Sequence, residues 1–208
     1  MVYTPVGWAN DETHPLSQAN MKTLDGGIAD AHDRVETEVL RFIASGGGGV
    51  NQETFLISPA ALSEHQWRYL YFRFTGRFNQ ADYLRVRYND DNTAGLHSRG
   101  LVVTQADGTV GDDEFASADT FWWLCQWGSG IGQEAWLEMH FAETTTQHGF
   151  GGGGTRIGAT AATMRRSESW GRLEEARGPL TSLRVSRGPI ASTRFAANVQ
   201  WTIMGIPA

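Results

Sequence analysis

Two hydrophobic periods divide this chain of 208 residues, and a run of glycines stands where one gives way to the other. Ahead of the run, apolar or small residues fall at Met21, Leu24, Ile28, Ala31, Val35 and Phe42. The first spacings alternate three and four, and Glu38 is the only polar interruption of the seam. That alternation is the a/d spacing of a coiled coil, with a period near 3.5. Ser17 sits where a hydroxyl can cap the first turn, and Asp25, Asp30, Asp33, Arg34, Glu36 and Arg41 take the flanking positions. The spacing predicts a helix over 17–44.

An amphipathic helix packed on its own domain is the simpler reading of such a stripe. The narrowness of this one argues against it, as does Ser45-Gly46-Gly47-Gly48-Gly49, which predicts a flexible linker over 45–52. A thin stripe on a detached helix buries itself only against copies of itself. Gly26 and Gly27 weaken the helix by roughly 1 kcal/mol each, so association has to offset them. The seam is therefore read as an oligomer interface.

From Glu53 onward the period becomes two. Leu84, Val86 and Tyr88 alternate with Arg85 and Arg87, and Val199, Trp201 and Ile203 alternate with Gln200 and Thr202. Further strands are expected at 55–57, 67–72, 101–103, 121–127, 134–141 and 183–185. The segment Gly149-Phe150-Gly151-Gly152-Gly153-Gly154 reads as a long mobile loop. Strands joined by Gly, Asp and Asn turns, with no second helix, predict an antiparallel β-sandwich of jelly-roll type over 53–208. Residues 1–16, broken by Pro5, Gly7 and Pro15, read as an extended attachment segment.

Charge narrows the partners. Seventeen Lys and Arg against 23 Asp and Glu leave a net charge of -6, so nucleic acid is not an expected ligand. No basic and apolar leader opens the chain, and no run nears the ~20 apolar residues of a membrane span. The single cysteine, Cys125, follows Phe121-Trp122-Trp123-Leu124 and reads as a buried thiol. None of the six histidines falls in a motif with a nucleophile, and Ser129 lies in a glycine-rich turn, so neither catalysis nor a cofactor is expected. Asn89-Asp90-Asp91-Asn92 offers hard oxygens to a cation but lacks spaced calcium ligands, and reads as a turn. Asp112-Asp113-Glu114 reads as a solvated loop. The aromatic candidates are Trp122, Trp123 and Trp127, with Trp136, whose rings can stack on sugar faces. Consecutive Trp122 and Trp123 point to opposite sides of a strand. At most one of them faces the core, and the other is covered by a neighbour, lines a subunit interface or meets a ligand.

Two motifs carry a resemblance. Tyr3-Thr4-Pro5-Val6-Gly7-Trp8, followed by Pro15-Leu16-Ser17-Gln18-Ala19-Asn20-Met21 and Gly27-Ile28, resembles the N-terminal module of phage tail-fibre and baseplate proteins. In those a Trp-bearing lead-in opens a short trimeric helix. Leu84-Arg85-Val86-Arg87-Tyr88-Asn89-Asp90-Asp91, with Leu180 to Val185 and Trp201-Thr202-Ile203-Met204-Gly205-Ile206, is similar to a phage jelly-roll domain. Met21, Tyr88 and Met204 depart from that pattern, each keeping a large apolar group. The resemblance implies a homotrimeric virion structural protein, a tail fibre or minor tail protein of the adsorption apparatus. It would join other virion proteins through its N-terminal segment and touch a host surface glycan. A head fibre or capsid decoration protein is the alternative it leaves open.

Overall fold

A computed structural model describes residues 26, 27, 29, 39–64, 66–93, 97–105, 110–130, 133–141, 148–156, 165–174 and 178–208. The chain divides after Leu40, and the sheet-forming unit is Arg41–Ala208. In the N-terminal unit Gly26, Gly27 and Ala29 have helical backbone. The attachment segment 1–16 and the seam residues Met21, Leu24, Ile28, Ala31 and Val35 lie outside the described residues.

In chain order the strands are β1 (Arg41–Gly48), β2 (Thr54–Ile57), β3 (Trp67–Gly76), β4 (Asp82–Tyr88), β5 (His97–Gln105) and β6 (Val110–Asp119). There follow β7 (Trp122–Trp127), β8 (Gln133–Phe141), β9 (His148–Arg156), β10 (Arg165–Leu173), β11 (Leu183–Ser186) and β12 (Val199–Pro207). One short helix, α1 (Ala60–Glu64), lies between β2 and β3. The strands form two sheets, one of eight in the order β1-β12-β3-β8-β9-β10-β5-β6 and one of four in the order β2-β11-β4-β7. Every pairing within them is antiparallel. The expected β-sandwich architecture is present.

Alternation builds the core between the sheets. Leu70, Phe72 and Phe74 of β3 and Ala135, Leu137 and Met139 of β8 face inward from the large sheet. Leu84, Val86 and Tyr88 of β4, with Leu183 and Val185 of β11, face them from the small one. Each fully buried Leu or Phe contributes about 1.5–3 kcal/mol through burial alone.

Three expectations are corrected. The helix over 17–44 and the linker over 45–52 do not extend as read, because 41–48 is an edge strand with Gly46 opposite Trp201 and Arg41 opposite Gly205. Phe42 therefore stands on β1. A Cβ at Gly46 would lie 2.6 Å from the Trp201 indole, so the glycine is what lets that ring pack. The run 149–154 is no loop either. It is β9, held between β8 and β10. A Cβ at Gly154 would lie 2.5 Å from the Glu134 carbonyl and 2.7 Å from Cys125 Sγ, so glycine allows the two sheets to close at this point. Asp112, Asp113 and Glu114 belong to β6, not to a loop.

Candidate functional site

Three of the aromatic residues singled out in the sequence, Trp122, Trp123 and Trp127, lie inside the molecule. Trp122 and Trp127 are fully buried in the main core. Trp122 packs on Phe150 with ring centroids 4.3 Å apart, and its Nε1 donates to the Arg172 carbonyl at 3.3 Å. Trp127 packs on Phe78, and its Nε1 donates to the Glu134 carbonyl at 3.3 Å. Trp123 points to the other side of β7 and is 8% exposed. It packs with Leu101 and Val103 of β5, lies 4.6 Å from the Tyr83 ring, and is covered by the Arg99 guanidinium 3.8 Å from its ring centre. None of the three is a surface aromatic, because the large sheet is wide enough for β5 to cover the far side of β7.

The Asn89 turn is also used internally. Asn89 and Asp90 have φ of 48° and 54°. Asn89 Oδ1 accepts from the backbone N–H of Thr181 at 2.7 Å and of Ser182 at 3.1 Å. Asp90 accepts from Arg184 Nε at 2.8 Å, and that guanidinium, joined by Arg87, holds its carboxyl below the ordinary range. Its oxygens clasp two arginines.

The candidate site is on the outer face of the large sheet, around β9. Register places three rows directly across β8, β9 and β10. They are Trp136–Gly153–Glu168, Glu138–Gly151–Trp170 and His140–Gly149–Arg172. The middle strand of each row is glycine. Neighbouring strands lie about 4.8 Å apart, so the side chains of β8 and β10 form two walls about 10 Å apart over a bare backbone floor.

The tryptophans set the shape of this trough. Trp136 leans over Gly153, where a Cβ would lie 2.6 Å from its ring, and closes one end. Trp170 leans away over Gly100 of β5, again 2.6 Å from the Cβ position. Above Gly151 a Cβ would meet nothing within 4 Å, so the floor there is open. A cleft of about 550 Å³ results, lined by His140, Gly149, Gly151, Trp170 and Arg172. Trp170 is 46% exposed in its wall.

Charges around the trough are largely matched. Arg172 donates to both carboxylate oxygens of Glu174, at 3.3 and 3.1 Å, and Arg166 pairs with Glu168 at 3.0 Å. Behind the β8 wall, on β3, burial pushes the Tyr69 phenol up to about 12, aided by the charge of Glu138. His140 stands edge-on to Tyr69 at 5.1 Å. The arrangement can stack a flat ring and accept hydrogen bonds from hydroxyl groups. Among the described residues no group of three or more His, Cys, Asp or Glu is arranged to hold a metal ion.

Of the sequence candidates only Trp136 borders the trough; Glu138, His140, Trp170 and Arg172 were missed. The available signal was Gly149, Gly151 and Gly153, since glycines two apart clear one face of a strand. No protein-family model matches the chain, and no curated protein matches it.

Proposed function

We propose that this chain is a bacteriophage virion structural protein, a homotrimeric tail-fibre or minor tail protein of the host-adsorption apparatus. It carries out no reaction. Residues 1–16 attach it to other virion proteins, the seam from Met21 to Val35 joins three copies, and the sandwich is displayed outward.

Phe42 carries the reading. It is 66% exposed on the outermost strand of the large sheet, a few residues after the seam ends. A large aromatic left open there suits a chain whose copies meet along that line, since interface centres are enriched in such residues. Beside it a cleft of about 220 Å³ is lined by Ile43, Ala61, Trp67 and Pro207.

Light scattering of the full chain tests the assembly. The expected mass is three times that of one chain, falling to one when Ile28 and Val35 are both replaced by aspartate. A monomeric full chain would overturn the trimer. Immunogold labelling of virions tests the location, with label expected on the tail. Label on the head would instead make the chain a head fibre or decoration protein.

A further inference from the structure

We infer that the glycine-floored trough around β9 is a binding site for a neutral pyranose, one residue of a larger glycan, stacked against Trp170. The inference deepens the adsorption reading by naming what the displayed face would hold. It depends on that reading only for the source of the sugar.

Shape comes first. A sheet face ordinarily carries a side chain at every second residue, and Gly149 and Gly151 remove two of them in succession. What remains is a slot with a flat floor and an aromatic wall, open to solvent above Gly151. A slot of this kind accepts a thin, rigid ring. Trp170 leans away over Gly100, which holds the indole clear of the floor. The apolar C–H face of a pyranose covers an exposed indole while its equatorial hydroxyls stay at the rim.

Polarity comes next. His140 and Arg172 line the cleft itself, and register places Glu138 across Gly151 from Trp170 at its margin, where a carboxylate accepts hydrogen bonds from two adjacent hydroxyls. His140 adds a second polar group beside it in the same wall. An aliphatic ligand would offer that carboxylate no further donor.

Charge then selects among sugars and against nucleotides. The two arginines of the β10 wall are engaged by Glu174 and Glu168, while Glu138 has Tyr69 and Tyr71 as neighbours and no ion pair among the described residues. The wall charges therefore sum to no positive surplus. Sialic acids, uronic acids and sugar phosphates would bring their charge toward Glu138. Single-stranded nucleic acid, which also stacks on aromatics, needs a basic groove that this face does not provide.

The test uses the full chain on an array of neutral hexose and N-acetylhexosamine oligosaccharides, beside sialylated and uronate-bearing ones. Binding is expected on neutral probes. Trp170→Ala, and separately Gly151→Leu, which fills the floor where nothing now stands within 4 Å, should each weaken it about tenfold or more. Unchanged thermal melting of both variants would place the loss at the site. Absence of neutral-glycan binding, binding confined to acidic probes, or binding that survives both substitutions would each overturn the inference. These results are separate from the virion labelling. A protein found on tails that binds no neutral glycan sinks only the sugar site. A protein that binds neutral glycan through Trp170 but is absent from virions sinks only the adsorption reading.

Discussion

Gly151 and Gly154 belong to one run yet answer to different neighbours. At Gly154 an added methyl group meets the Glu134 carbonyl and Cys125, both held by packed strands. Gly154→Ala is expected to cost about 1–3 kcal/mol through overpacking, read as a lower urea midpoint. Gly151→Ala, with open space above it, is expected to stay within about 0.5 kcal/mol of the parent. His97 makes a second prediction at this scale. It is fully buried, and its Nε2 accepts the Tyr88 backbone N–H at 3.3 Å. Burial, reinforced by Arg87, pulls its pKa down to about 4. The folded value lies below the unfolded one, near 6.5, so between them the unfolded chain binds the extra proton. Stability is then complete above pH 6.5 and falls as pH drops toward 4, by about 3 kcal/mol. His97→Gln should flatten that slope in urea titrations at about pH 7, 5.5 and 4.5.

At the scale of elements, turns and cross-strand pairs decide where strands stop and how closely they pack. Asn89 holds the turn after β4 against the chain leading into β11 through two backbone N–H groups, in a conformation with φ of 48°. Asn89→Ala removes the one oxygen that accepts from both and leaves a Cβ without side-chain compensation in the left-handed region. The expected cost is about 2 kcal/mol in thermal or urea unfolding. Strands such as β4, β8 and β12 were legible because their alternation is local to the segment that forms them. The turn at Asn89 was legible for the same reason. Strands β1 and β9 were not, because glycine disfavours strands taken alone. What makes it fit is a ring on another strand: Trp201 over Gly46 and Trp136 over Gly153. Those partners are separated by 17 to 155 residues, so no short window of sequence contains both members. The trough was hidden along with β9 and β10. Trp122, Trp123 and Trp127 drew notice as a cluster, yet among the described residues the tryptophan most exposed to solvent is Trp170.

For the whole molecule, the position of β1 decides which truncations leave a folded sandwich. A chain beginning at Leu40 keeps every strand of the two sheets. One beginning at Val50 loses β1 and uncovers β12, including the face of Trp201 that Gly46 receives. The longer form is expected to melt cooperatively near the parent temperature, and the shorter one several degrees lower. Equal melting of the two would mean that β1 adds nothing to the sheet. The antiparallel register of this edge has a practical consequence too. Arg41 lies across from Gly205, and Ala208 is tied back by its N–H to the Gln66 carbonyl at 3.0 Å. An epitope tag or fluorescent protein fused after Ala208 would thus emerge beside the point where the chain enters the sheet. Such a label would crowd the neighbourhood of Phe42, so a reporter meant to leave assembly undisturbed belongs elsewhere.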